Sequence, residues 1–384
     1  MKKIPFVKEL INEVLASLDP ELNFKNILAF KENYLLVRGE KFLVKDKLHL
    51  FALGKAASFQ LTAFKHLLDN EMNQIHLGEM VAYTKDKHLV NDSSLTQIEG
   101  SHPVISERNI LNTEKFINLL TKIQPQDSLV FLLSGGGSSL MELPISGLSF
   151  ADLKDKHEEL LISGKNINTM NEERKKLSQV KSGGLLKFIK TKNILQFVTC
   201  DIPNEKIEDI SSGPLMSAND SSHHPKTFML NSASILLDTL CSGNNQRIRG
   251  RVYDCSLNEA MTDLLENLPG RNIYHFSGGE IPINVLNRNG KGGRNTHFVL
   301  AFAKRLFENE ENRDLKILSI GTDGGDGPTD CAGAFIDYEL FKHLDCNKYL
   351  EEYNSYAYFE KIGTLIKTGP TKTNVMDLRC IWRE

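Results

Sequence analysis

What this chain lacks narrows its chemistry before any motif is weighed. Its six cysteines (Cys200, Cys241, Cys255, Cys331, Cys346, Cys380) are scattered with no C-x-x-C pair. That argues against a zinc site and a disulfide framework, and for a reducing compartment. No histidine has metal-ligand spacing to a second histidine or a cysteine: His223 and His224 are adjacent in a polar loop, and His102 lies in GSHPV. Charge of either sign is not in excess. A net charge of −3 and a pI near 6.4 give no electrostatic case for nucleic acid or an anionic membrane surface. No apolar run is long enough to span a bilayer. The opening MKKIPFVKELINEVL is broken by Lys8, Glu9 and Glu13, and its apolar residues follow helical spacing, so an amphipathic helix is expected rather than a secretory signal. These absences together point to the cytoplasm.

Three standard fingerprints are also missing. No glycine trio fits G-x-G-x-x-G, no G-x-x-x-x-G-K-[ST] occurs, and there is no G-x-S-x-G elbow to support a serine hydrolase.

What is present is alternation. At 384 residues the chain is long enough for two domains. Short apolar runs at 48–53, 79–84, 128–133 and 193–199 read as buried strands, with helical periodicity over 106–122, 151–162 and 170–190. A helix near 228–242 and a linker or surface loop at 241–250 lead to a second series. There, strands are expected at 272–277, 281–286, 315–320 and 333–337, and helices at 258–267, 295–308, 339–352 and 356–367. This is the pattern of an α/β fold, with an edge strand or mixed sheet in its second part.

Several strands end in glycine-rich or charged turns, and ligands in open α/β sheets bind beyond the carboxyl ends of strands. In SGGGSS, residues Ser134, Gly135, Gly136, Gly137, Ser138 and Ser139 either cradle an anion on backbone N–H groups or simply turn the chain. Lys55, in GKAA, stands in the first helical turn after a strand, where the helix dipole disfavours a cation unless an anion shares the site. Arg294 in GKGGRNT repeats that placement, beside Gly292 and Gly293, and Glu280 closes the GGE turn. Asp323 and Asp326 in GTDGGDGPTD suit Mg²⁺ held partly by substrate phosphates, or form an Asx-turn cluster. NEERKKLSQVKSGG carries Asn171, Arg174, Lys175 and Lys181, either a basic binding segment or a solvated helix face. Asp201 follows a strand end, a position shared by catalytic acids and helix caps.

Taken in order, GKAA, GSHPV, SGGGSSL, N-x-x-RK-x-LS-x-VK-x-GGL, D-x-P…SGP, GGE, GGRN, GTDGGDGPTDCAGA and TGPTKTNVMDLR resemble the glycerate 2-kinase family, whose C-terminal part is the MOFRL domain. The ordered set runs from about residue 50 to residue 380. The chain departs from the pattern at Asn204-Glu205-Lys206, where a glycine and acids are typical, and at Lys176, where a histidine is common. The resemblance implies a Rossmann-like doubly wound domain over 1–240, with the first helix free to pack elsewhere, and a smaller MOFRL-like α/β domain with a mixed sheet over 241–384. It implies ATP-dependent phosphorylation of D-glycerate to 2-phosphoglycerate in a cleft between the domains, with Lys55 and Arg294 central.

On that basis Asp201 is expected to orient the attacking hydroxyl, and Arg174 or Lys175 to bind the glycerate carboxylate. Glycerate and a nucleotide are the expected partners, with no nucleic acid and no membrane, and a homodimer is the candidate assembly. The rivals are an NAD(P)-dependent hydroxypyruvate reductase and a non-catalytic regulator that binds sugar acids or phosphate.

Overall fold

The structure is a computed structural model that describes residues 5–71, 75–162, 167–216, 224–285 and 290–383, without the side chains of 5, 157, 161, 162 and 167–171. The chain forms two compact units: 20–200 with 205–230, and 1–19 with 201–204 and 231–384. The expected boundary at 240 thus lies ten residues beyond the break at 230/231, and the first helix is grouped with the C-terminal unit. Among the described residues no helix is long and apolar enough to cross a membrane.

The first unit opens with an antiparallel meander of β1 (Leu28–Lys31), β2 (Tyr34–Val37) and β3 (Glu40–Leu43). Its main sheet contains β4 (Lys47–Leu53), β5 (His76–Lys85), β6 (Thr96–Gly100), β7 (Ser128–Leu133), β8 (Ile194–Thr199) and β9 (Lys226–Asn231), in the order β6-β5-β4-β7-β8-β9. The pairs from β6 through β8 are parallel. Every residue of β7 and β8 is buried, which is why both read as unbroken apolar runs rather than alternating ones. Phe24, Phe64 and Phe197 meet at the core with ring centroids 5.1–5.9 Å apart. The chain leaves β4 toward one edge and returns to β7 on its other side, so the carboxyl ends of β4 and β7 flank the reversal of strand order.

The second unit holds β10 (Arg247–Tyr253), β11 (Ile273–Gly279), β12 (Leu315–Gly321), β13 (Gly333–Asp337), β14 (Leu365–Ile366) and β15 (Asp377–Arg383). Their order is β10-β11-β15-β12-β13-β14, with β10 and β11 parallel and the rest antiparallel, the mixed sheet expected. Helix Arg294–Phe307 covers one core with Phe298, Val299, Phe302, Ala303 and Leu306. Helix Pro5–Ser17 contributes Val7, Leu10, Ile11 and Val14 to another core that contains Leu236, Leu237 and Trp382.

Five local expectations need correction. Residues 281–285 form no strand, because Pro282 breaks the run and only Ile281 is buried. The helix expected near 228–242 begins at Ala233, capped by Ser232, and 226–231 is β9. The presumed linker at 241–250 already contains the start of β10. The helix expected over 170–190 ends at Lys176, and that expected over 339–352 divides into Tyr338–Phe341 and Asn347–Glu351. β15 escaped notice because Asp377 and Arg379 interrupt its apolar pattern, yet both are buried with partners.

Candidate active site

At the reversal of strand order, the turns after β4 and β7 interlock. Ser134 donates its N–H to the Leu53 carbonyl at 2.9 Å, and Lys55 donates its N–H to the Gly135 carbonyl at 2.9 Å. The Ser134 hydroxyl accepts from the Ala56 N–H at 3.1 Å. Gly54 adopts φ +121°, and a Cβ there would lie 2.3 Å from the Ser134 carbonyl oxygen, so only glycine allows the two turns to approach this closely. A third segment braces the loop. The Ser211 hydroxyl donates to the Ser134 carbonyl at 2.7 Å and accepts from the Gly137 N–H at 2.9 Å, while Ser138 and Ser212 share a 2.8 Å contact. Ser211 holds φ +52°, a left-handed conformation uncommon for serine.

SGGGSS is therefore built rather than slack. The Ser134 and Ser138 hydroxyls are spent inside the protein, and Ser139 donates to the Gly136 carbonyl at 3.2 Å. The N–H groups of Gly135 and Gly136 have no partner among the described residues. Over Gly136 lie the Lys55 stem and the His102 ring, each 2.9 Å from where a Cβ would stand. Beside them is a cavity of about 460 Å³ whose polar lining includes His102, Ser138, Ser139, Arg174 and Lys181. The buried Arg174 Nε has no hydrogen-bond partner among the described residues. The Lys181 ammonium is neutralised by buried Glu142 at 2.5 Å. Lys175 is bound to Glu172 at 2.9 Å and Asp209 at 3.2 Å. Burial draws its pKa down, but those two carboxylates outweigh it and leave the pKa raised. The Asn171 side chain lies outside the described residues.

The second unit brings charges together differently. Arg294, the first residue of its helix, bonds Glu280 and lies with Nε 3.4 Å from Asp377 Oδ2. Arg379, fully enclosed, lies 3.6 Å from the same oxygen and donates to the Gly278 and Gly279 carbonyls at 2.9 Å each. Burial lowers the Arg379 pKa, and neighbouring Asp377 opposes that shift. Asn295 donates to Asp377 Oδ1 at 2.9 Å and accepts from Ser319 at 2.5 Å.

The three aspartates of GTDGGDGPTD go separate ways. Asp326 accepts from the Asn295 N–H at 2.8 Å, the Thr296 N–H at 2.9 Å and the Thr296 hydroxyl at 2.8 Å. Its oxygens thus cap the helix. Burial raises its pKa against those donors. Asp323 is exposed and makes a 2.9 Å Asx turn to the Gly325 N–H. Asp330 binds Tyr356 and Lys367 at 2.6 and 2.7 Å, and these hydrogen bonds hold its pKa near 2.

Gly293 is required by the cap, since a Cβ there would lie 2.3 Å from Asp326, and Gly292 would meet Ser355 at 2.5 Å. Both glycines line a second cavity of about 380 Å³ with Arg294 and His297. Asp201 is half-buried in the 201–204 segment that leaves β8 and is grouped with the second unit. His102, Ser211, Asp377, Arg379 and Asn295 were not singled out by sequence. The signals were the motifs GSHPV, GGRN and TGPTKTNVMDLR, which contain His102, Asn295, Asp377 and Arg379, and the paired serines before Gly-Pro in SSGP.

The fold and the strand-end turns define an α/β protein whose first unit carries a braced glycine loop beside a cavity. Residues 6–235 match a family described as a domain of unknown function, and 273–377 match the MOFRL family. The D-glycerate 2-kinase of Thermotoga maritima is 31% identical over 87% of this chain and 90% of that protein. The glycerate 2-kinase of Pyrococcus horikoshii is 29% identical over 95% and 94%. The crystal structure of a Thermotoga maritima glycerate kinase superposes with a TM-score of 0.80 at 28% identity, covering 98% of each chain. The chain belongs to the glycerate 2-kinase family.

Proposed function

We propose that the chain transfers the γ-phosphoryl group of ATP to the 2-hydroxyl of D-glycerate. The observation that carries this is the interlocked pair of turns, with two unpartnered backbone N–H groups and a cation beside the cavity of Arg174. Phosphoryl transfer asks a protein for positioning and charge neutralisation more than for covalent chemistry. Gly135 and Gly136 donate to anionic oxygens, and Lys55 neutralises the transferring group. Arg174, with Nε unpartnered, takes the glycerate carboxylate, whereas Lys175 braces its segment through Glu172 and Asp209. Arg294 shares the phosphoryl charge, held ready by Glu280 and Asp377. Asp201 orients the attacking hydroxyl. Lys55 and Arg294 belong to different compact units.

Mg²⁺ on the nucleotide would neutralise charge on the phosphates. Asp323 retains an oxygen for it, and among the described residues no three histidine, cysteine or acidic side chains converge, which fits a metal held mainly by phosphate.

A coupled assay of ADP release with D-glycerate, followed by phosphorus NMR of the product, tests the proposal. A product phosphorylated at the 2-position supports it. No ADP release, with NADH oxidised by hydroxypyruvate instead, would replace it with the reductase, for which the chain lacks a G-x-G-x-x-G loop.

A further inference from the structure

The second cavity differs in kind from the first. Ile283 and Val285 give it aliphatic walls, and Tyr353 stacks on His297 with centroids 5.2 Å apart and ring planes 12° from parallel. Tyr353 holds φ +53°, a conformation costly for a bulky residue and kept where surrounding structure enforces it. The enforcement is visible: the turn at Gly290 presses on the 352–353 backbone so closely that a Cβ would lie 2.0 Å from the Glu352 carbonyl oxygen. Burial lowers the His297 pKa to about 4, so its imidazole is neutral at ordinary pH, with one N–H and one acceptor nitrogen. Neither ring nitrogen has a hydrogen-bond partner among the described residues. Arg294 lies three residues before His297, on the same face of the helix and also against the cavity.

We infer that this cavity binds the purine base of a nucleoside phosphate, with the phosphate tail directed to Arg294. The inference rests on the kinase reading for its choice of ligand. Among that reaction's participants only the nucleotide carries a flat ring system with apolar faces, while glycerate is polar throughout. Its volume of about 380 Å³ suits part of a small ligand. The aromatic pair and aliphatic walls bury the base, and the neutral His297 pairs with heteroatoms on its edge. The arginine at the start of a fourteen-residue helix meets the anionic end, and that helix terminus adds its own positive potential.

Calorimetric titration of the full chain with ADP and, separately, with pyrophosphate tests this. Val285 is 47% exposed, so Val285→Trp can fill the cavity without disturbing a core. ADP binding should weaken at least about tenfold in that variant, as expected for loss of a stacked base, while pyrophosphate binding is unchanged. His297→Ala should show the same split. In turnover, KM for ATP should rise by the same factor with KM for glycerate unaltered. Undiminished ADP binding by a folded Val285→Trp protein, equal loss of ADP and pyrophosphate, or no ADP binding by the unaltered chain would overturn the inference. If the unaltered chain binds ADP, loses it on Val285→Trp and phosphorylates no glycerate, the base site stands and the kinase reading falls.

Discussion

The two compact units use glycine-rich turns for opposite ends. Around Gly136 the loop is held by hydroxyls and main-chain bonds, which leave two N–H groups unpartnered beside Lys55. Around Gly293 the same residue type lets charged groups close on one another: Asp326 on a helix terminus, Arg294 on Glu280 and Asp377. Glycine density alone therefore says that backbones approach closely, and not whether a ligand or a side chain fills the approach. The serines around the first loop are neutral braces that leave its potential for a ligand, whereas around the second the carboxylates Glu280 and Asp377 hold Arg294 in place.

Three experiments press on that contrast. The largest effect should follow Lys55→Ala, where kcat falls about 10²–10³-fold, roughly 3–4 kcal/mol, while circular dichroism shows the fold retained. Turnover near normal would remove Lys55 from the mechanism. Next, Asp326→Ala strands two buried backbone donors and should cost about 3 kcal/mol in urea unfolding. Asp323→Ala, at an exposed turn, should leave stability unchanged, and equal losses in the two variants would erase the division between cap and open carboxylate.

The smallest effect concerns pH. His297 titrates near 4 when folded, below the ordinary 6.5, so the unfolded chain takes up its proton first as pH falls. Stability from keeping the ring neutral is complete above 6.5 and is lost as pH drops toward 4, by roughly 2 kcal/mol after allowance for partial exposure. His297→Gln should flatten the pH dependence by that amount, and an unchanged profile would show that the ring is not held neutral.

The parallel sheet was legible because β4, β7 and β8 are buried on both faces and contain little but apolar residues. β15 was not, since a buried Asp377 and Arg379 look like surface residues until their partners are known. The same limit applies to function. Lys55 and Arg294 announced themselves as cations at helix starts. His102 and Ser211 gave no such sign, because their positions matter only once loops distant in sequence have met. The cap made by Asp326 was not legible, because a carboxylate in a glycine loop can serve a metal or a helix cap with the same lone pairs.

β15 also bears on the order in which the molecule is made. It joins β11 to β12, and Trp382 on it lies 5.4 Å from the ring of Phe6. Helix Pro5–Ser17 leaves the ribosome long before the strand against which it is to pack, and its Val7, Leu10, Ile11 and Val14 stay without that partner while the chain lengthens. The 20–230 unit is synthesised in full before then and is free to close its own sheet. Completion of the second unit thus includes a contact that spans almost the whole chain, of the non-local kind that slows folding.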